Sequence, residues 1–400
     1  MSGRSVAPAA VALDAFARDR VDAGERFFGG EADRIARLCH RAAERFARGG
    51  RLIALGRSPT ARSDARHVAV EFVHPVIVGK RALPALALCA EGGPLAAQLE
   101  LVAEPDDIVV AFEPDDADTA AALDAAGRRD CLTVAFAPAR AEWAFDPPGD
   151  RFVRQELVET AYHVLWELVH VFFEHRGLLE GRRAAAVHDT GASAFLYPFL
   201  AEQEDDLDAV VADVRSSVLA KASETAALRV QTLSANADAL AAAGAALRAA
   251  FDAGGRLLAL GNGGSATDAM DAVADFHAPL AGGPPRPALD LTEDAGILTA
   301  IANDIGAGAI FARQVIAHAR AGDVLLAFST SGTSANVIEA LDEARRRDVR
   351  TIAMVGYDGG RVAAEGLADQ VVISSSEHIP RIQEAQATAY HALRLLVEEP

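Results

Sequence analysis

The sequence predicts an α/β chain built from two parallel, doubly wound sheets in tandem. Three observations carry that reading. Apolar runs of strand length are continuous rather than alternating, as in strands buried on both faces of a parallel sheet. Ala-rich helical stretches separate those runs, the order of a doubly wound fold. The whole series then occurs a second time, with a period too long for a solenoid and right for duplicated domains.

The first copy opens with a helical lead-in, EADRIARLCHRAAERFARGG (residues 31–50), closed by Gly-Gly as a helix C-cap. Strands are expected at RLIAL, PALAL, DDIVVAF and CLTVAF, with TAAALDAAGRRD as a helix between the last two and RQELVETAYHVLWELV as the closing helix. The polar, small-residue stretch EGRRAAAVHDTGAS (180–193) marks the boundary, giving domains 1–180 and 181–400. EQEDDLDAVVADVRSSVLAKASETAALRV then predicts a long helix. The second copy repeats the plan: lead-in ANADALAAAGAALRAAFDAGG, strands RLLAL, PALDL, GDVLLAF, RTIAMV and DQVVIS, helix ANVIEALDEARRRD and closing helix RIQEAQATAYHALRLLV.

Four hundred residues, 51% of them hydrophobic, supply ample core for two domains. A formal charge of -19 opposes direct nucleic-acid binding, which leans on Lys and Arg displacing counterions. A small phosphorylated ligand needs only a local cluster of donors. Cys39, Cys89 and Cys131 are widely spaced and lie in or beside apolar segments, so no CxxC site is present and buried free thiols are expected. The N-terminus lacks the pattern of a signal peptide and no run reaches the roughly 20 apolar residues of a membrane span, so a cytoplasmic protein without membrane partners is expected.

Two turns of the second copy are built for an anion. Gly261-Asn262-Gly263-Gly264-Ser265 lies between a strand and a helix, where backbone N–H groups and the helix N-terminus face one point. Ser329-Thr330-Ser331-Gly332-Thr333-Ser334 repeats that geometry with added hydroxyls, and two such turns at strand carboxyl ends converge on one ligand. The dinucleotide pattern GxGxxG is incomplete and the Walker pattern is missing, which favours a sugar phosphate over a nucleotide.

GNGGSATDAMD, LTAIANDIG, GDVLLAFSTSGTSANVIEAL and RIQE together resemble the SIS (sugar isomerase) domain proteins and, within them, the phosphoheptose isomerases, over about residues 195–400. The resemblance implies two tandem SIS domains, each a five-stranded parallel sheet, the first degenerate. It implies aldose–ketose isomerisation of a sedoheptulose 7-phosphate-like sugar. Ser265, Ser329, Ser331 and Ser334, with the loop residues Asn262, Gly263 and Gly264, would hold the phosphate, and Thr330, Asp304 and Gln383 would lie near the sugar. Family members are tetramers, so a homo-oligomer, a dimer of the tandem chain, is expected. Non-enzymatic relatives that bind the initiator DnaA share much of the pattern, which leaves a sugar-phosphate-binding regulatory protein as the alternative.

In the family a His and a Glu on the helix after the first turn, and a Gln and a His on the last helix, can ligate zinc, and the Glu and last His are the base and acid. The second copy offers Asp271, Asp275, Gln383 and His391 at those positions, two of the four changed. Pairing Asp64 with Asp268 puts His67, Glu71, Gln155 and His163 of the first copy there instead, the full set of ligand types. His67 and Glu71 share a helical face at i and i+4, and Gln155 and His163 at i and i+8 lie within about a quarter turn. Conversely GRSPTARSD and FEPDDADT replace the anion turns in the first copy, with Glu113, Asp115, Asp116 and Asp118 where phosphate would sit. The first copy thus keeps the metal or acid–base set, and the second keeps the phosphate cradle.

Overall fold

A computed structural model of the chain describes residues 8–77, 80–89, 91–174, 178–179, 206–280 and 282–398. It divides into two compact units, residues 23–223 and residues 1–22 with 224–400. The expected boundary stretch, 180–193, lies outside the described residues.

α1 (Pro8–Ala47), which belongs to the second unit up to Asp22 and to the first from Ala23, leads in the first unit into β1 (Leu52–Leu55), α2 (Pro59–Val73), β2 (Ala85–Leu88), α3 (Leu95–Val102), β3 (Ile108–Ala111), α4 (Ala117–Arg128), β4 (Leu132–Ala135), β5 (Trp143–Ala144) and α5 (Arg151–Glu174). The strands pair in parallel in the order β2-β1-β3-β4-β5. After α6 (Leu207–Ala235) and α7 (Ala237–Asp252), the second unit runs β6 (Leu257–Leu260), α8 (Gly264–His277), β7 (Ala288–Asp290), α9 (Ala295–Asp304), a 3-10 turn (Ala307–Ala309), α10 (Ala312–His318), β8 (Val324–Ser329), α11 (Ala335–Arg346), β9 (Arg350–Gly356), α12 (Gly360–Ala364), β10 (Gln370–Ser374) and α13 (Ile379–Glu398). Its all-parallel order, β7-β6-β8-β9-β10, is the first sheet's order over again.

The continuous apolar runs arise because each strand feeds two cores. Leu52, Ala54, Ile108 and Val110 face one side of the first sheet, and Ile53, Leu55, Val109 and Ala111 the other. Leu257, Ala259, Val324 and Leu326 against Leu258, Leu260, Leu325 and Ala327 repeat the division in the second. Both lead-in helices stop in the same way. Gly49 and Gly254 take φ of 98° and 82°, and Gly50 and Gly255 donate back to Arg45 and Ala250 at 2.9 and 2.8 Å, the Schellman pattern. Start-of-strand ion pairs recur as well, Arg51 with Asp107 and Arg256 with Asp323.

Three features depart from the sequence pattern. The first lead-in belongs to a helix that begins at Pro8, well ahead of residue 31. The fifth strand of the first sheet is only Trp143–Ala144, too short to register as an apolar run. Between β7 and α10 the second unit carries α9 and the 3-10 turn, whereas the first passes from β2 to α3 through a short turn. Cys39, Cys89 and Cys131 are free, buried thiols as expected. Among the described residues no helix is long and apolar enough to cross a membrane.

Candidate functional site

In this strand order the chain reverses direction across the sheet between the first and third strands, and ligands of open parallel sheets bind at the carboxyl ends flanking that point. In the second unit those ends are the turns after β6 and β8. A Cβ on Gly261 would meet the Ser265 carbonyl oxygen at 2.1 Å, which forces the sharp exit from β6. Gly263, at φ 58° and ψ −125°, caps α8 without any side-chain bond. In the turn after β8, Gly332 has φ 61°, and its backbone passes so close to Gly359 that a Cβ would meet that carbonyl oxygen at 2.2 Å. The Gly332 N–H donates to Ser329 Oγ at 3.2 Å, and Thr333 donates through N and Oγ1 to Ser331 Oγ at 3.3 and 3.0 Å. Ser334 occupies the N-cap of α11 but makes no capping bond; its Oγ lies 3.4 Å from Ser329 Oγ. A reciprocal amide pair, Asn262 with Asn336 at 2.9 and 2.8 Å, ties the two turns together. Two helix N-termini and a set of hydroxyls so arranged suit a phosphate group. Asn336, the second residue of α11, escaped sequence reasoning because it lies just beyond the small-residue run. Asp304 ends α9, exposed, and accepts from its neighbour Asn303.

The same two turns in the first unit are filled from within. Ser58 caps α2 by accepting from the Ala61 N–H at 3.0 Å. The Glu113 carboxylate accepts from the Ser58 hydroxyl and from Thr60 Oγ1, the latter at 3.1 Å. Asp116 caps α4. Asp118 accepts from the Leu95 and Ala96 N–H groups at 2.8 and 3.3 Å and from Arg57 at 3.3 Å. Three of the four acids that the sequence places against phosphate therefore bind the local donors themselves.

The first unit also brings His67, Glu71 and His163 together. His67 and Glu71 are 1% exposed and His163 is fully buried. Their nearest ligand atoms all lie within 4.8 Å of one another, with His67 Nε2 3.3 Å from His163 Nε2 and 3.8 Å from Glu71 Oε1. Zinc–nitrogen bonds of about 2.0–2.1 Å put two nitrogens of a tetrahedron roughly 3.3–3.4 Å apart, so this donor set fits a zinc-sized cation with little rearrangement. Gln155 is buried on the same helix as His163, and its amide nitrogen has no partner among the described residues. Tyr162 Oη lies 2.9 Å from His67 Nδ1. Burial, and then the neighbouring His163, hold His67 well below the usual imidazole range, which keeps it neutral as a ligand must be. Asp64 is pushed up by burial and by Glu113, while a hydrogen bond from Tyr162 works the other way.

In the second unit Asp271, Asp275, Gln383 and His391 are all buried. His391 Nε2 lies 3.1 Å from Asp275 Oδ2, a close carboxylate–imidazole pair. Within that unit no three His, Cys or acidic donors come close enough to hold an ion among the described residues.

Comparison with known proteins gives the family and the fold. The family model for the SIS domain matches residues 222–356. The phosphoheptose isomerase of Citrifermentans bemidjiense is 47% identical over 150 residues, 37% of this chain and 77% of that protein. That of Rhodospirillum rubrum is 42% identical over 164 residues, 41% of this chain and 86% of its own length. The solved C-terminal domain of glucosamine-fructose-6-phosphate aminotransferase from Francisella tularensis, at 10% identity and a TM-score of 0.60, covers 96% of this chain and 94% of itself, which shows the fold over both units. The chain belongs to the phosphoheptose isomerase family of SIS-domain proteins.

Proposed function

We propose that the protein is a phosphosugar isomerase acting on a sedoheptulose 7-phosphate-like ketose and its aldose. The observation that carries this reading is the pair of small-residue turns joined by Asn262 and Asn336, which leaves the Ser334 hydroxyl uncommitted to its helix. Ser265, Ser329, Ser331 and Ser334, with the backbone of residues 262–264, would receive the phosphate. Thr330, Asp304 and Gln383 would face the sugar hydroxyls.

Aldose–ketose isomerisation moves one proton between adjacent carbons through an enediol, while the hydroxyl proton passes between the two oxygens. Two carboxylate–imidazole pairs offer base and acid, Glu71 with His163 and Asp275 with His391. We favour the first, which keeps the longer carboxylate arm. His67, Glu71, Gln155 and His163 would hold zinc, which when bound would supply a Lewis acid. The reduced, buried thiols suit a cytoplasmic setting. Family resemblance favours at least a dimer, with a scattering mass no less than twice the 41.8 kDa chain.

Turnover of sedoheptulose 7-phosphate, measured beside calorimetric binding, tests the reading. Ser331→Asp would place a carboxylate in the cradle and abolish both. Tight binding without turnover in the unmodified, zinc-supplied protein would make it a sugar-phosphate-binding regulatory protein instead, and unchanged affinity in the variant would refute the cradle.

A further inference from the structure

The turn between β9 and α12, Gly356-Tyr357-Asp358-Gly359-Gly360, packs against the turn after β8 and has no part in the reading above. Its backbone meets three successive carbonyls of that turn. The Gly356 N–H donates to the Thr330 carbonyl at 3.0 Å, and the Val362 N–H, in α12, donates to the Gly332 carbonyl at 3.0 Å. Between them the Ser331 carbonyl oxygen lies against Gly360, where a Cβ would meet it at 2.3 Å. Gly356 is equally hemmed in, since a Cβ there would meet the Thr330 carbonyl oxygen at 2.5 Å and Ile382 Cδ1 of α13 at 2.6 Å.

The shape of this backing turn is itself fixed. Asp358 Oδ1 accepts from the Gly360 N–H at 3.0 Å, and the Gly359 N–H donates to the Gly356 carbonyl at 2.8 Å. Tyr357 takes φ 52°, which a bulky side chain rarely adopts, and Ser375 Oγ donates to its carbonyl at 3.1 Å. Such strain persists only where the surroundings over-determine it.

In a planar trans peptide the C=O and the following N–H point in opposite directions. Three carbonyls turned toward residues 356–360 therefore send the N–H groups of Ser331, Gly332 and Thr333 the other way. Two of these meet cradle hydroxyls, Gly332 N–H on Ser329 Oγ at 3.2 Å and Thr333 N–H on Ser331 Oγ at 3.3 Å. Successive N–H groups aimed to one side form an anion-binding concavity. The first unit, whose corresponding turn carries acids, reads Phe136-Ala137-Pro138-Ala139-Arg140 after β4, with no glycine to allow so close an approach.

We propose that Gly356, Asp358 and Gly360 are positioning residues that hold the carbonyls of residues 330–332 so that the N–H groups of Ser331, Gly332 and Thr333 face the ligand's phosphate. The affinity consequence rests on the cradle reading above; the direction of the N–H groups does not.

The test uses the full chain and sedoheptulose 7-phosphate. Calorimetry compares the unmodified protein with Gly360→Ala, Gly254→Ala, Asp358→Ala and Asp358→Asn. Gly360 and Gly254, at φ 54° and 82°, both force an alanine into the left-handed region, but at Gly254 no atom lies within 4 Å of the added Cβ. Gly360→Ala should weaken binding about 10–100-fold, the loss of a charge-assisted hydrogen bond, while Gly254→Ala leaves affinity unchanged. The two Asp358 variants remove the same charge, and only the alanine removes the acceptor for the Gly360 N–H, so Asp358→Ala should bind severalfold more weakly than Asp358→Asn. Ligand should slow amide hydrogen exchange at Ser331, Gly332 and Thr333. Unchanged affinity in Gly360→Ala, equal affinities in the Asp358 variants, or no protection of those three amides would each overturn the proposal; should Gly360→Ala not fold, the exposed Asp358 pair decides. If the unmodified protein binds no sedoheptulose 7-phosphate, the cradle reading fails. Faster exchange of the Gly356 and Val362 N–H groups in Asp358→Ala than in Asp358→Asn would then still support the positioning of the turn, and equal exchange would end it.

Discussion

At the exit of its third strand the first unit reads Phe112-Glu113-Pro114-Asp115-Asp116, and the second, at the same place, Phe328-Ser329-Thr330-Ser331-Gly332. One sheet order carries both. The acids of the first turn satisfy the helix N-termini and hydroxyls around it, through Glu113 on Ser58 and Thr60 and Asp118 on the start of α3. The second turn has no charge of its own and keeps its hydroxyls near one another. The α2–α5 and α8–α13 helix pairs differ in the opposite sense, with His67, Glu71 and His163 gathered in the first unit and an Asp275–His391 pair in the second. Among the described residues each unit thus carries the arrangement that the other lacks.

The largest effect should come from moving the first unit's solution into the second. Ser329→Glu grafts the Glu113 carboxylate into the cradle and should lower phosphosugar affinity at least 100-fold in calorimetry, because a like charge would occupy the donors without the hydration that a free ligand sheds. The reverse graft, Glu113→Ser, should create no binding, since Asp116 and Asp118 still hold the helix starts. A gain of a second phosphosugar per chain in that variant would mean the acids are incidental.

Next in size is the ranking of the two carboxylates. Glu71→Gln should cut turnover about 10²–10⁴-fold, the range for loss of a general base, with phosphosugar affinity retained. Asp275→Asn should cost tenfold or less. The opposite order in steady-state assays would assign the proton shift to the second unit's pair and leave the first unit's cluster a structural role.

Much of this comparison was legible in the residues. Continuous apolar runs gave the strands because burial on both faces removes polar alternation, and Gly-Gly marked both lead-in ends because only a left-handed residue closes a helix that way. His67, Glu71 and His163 fell on one cluster through helical spacing and the family pattern alone. What stayed hidden depends on pairing across long sequence separations. Asn336 gains its role from Asn262, 74 residues away, and Tyr162 meets His67, 95 residues away. Glu113 and Asp118 read only as charges that repel a ligand; that their carboxylates also accept from local donors needs the positions of Ser58, Thr60 and Leu95.

The smallest effect separates a cap that stabilises from one held in reserve. Asp116 caps α4 by accepting from the N–H groups of Asp118 and Thr119, at 3.0 and 3.1 Å, and from the Thr119 hydroxyl. Burial raises its pKa, but these bonds and Arg57 outweigh that and leave it below the ordinary carboxylate range. Its contribution is therefore present above that range and lost as pH falls through the lowered folded value. Asp116→Ala should cost about 1 kcal/mol near neutral pH, and the penalty should shrink in acid. Both tryptophans, Trp143 and Trp166, lie in the first unit, so their fluorescence in urea titrations reports this transition. Ser334 holds the N-cap of α11 yet bonds no backbone N–H, so Ser334→Ala should leave stability within about 0.5 kcal/mol at every pH, as followed by circular dichroism, while phosphosugar affinity falls severalfold. Equal stability losses in the two variants would mean that Ser334 is an ordinary cap, and the contrast between a self-satisfied turn and one kept open for an anion would not hold.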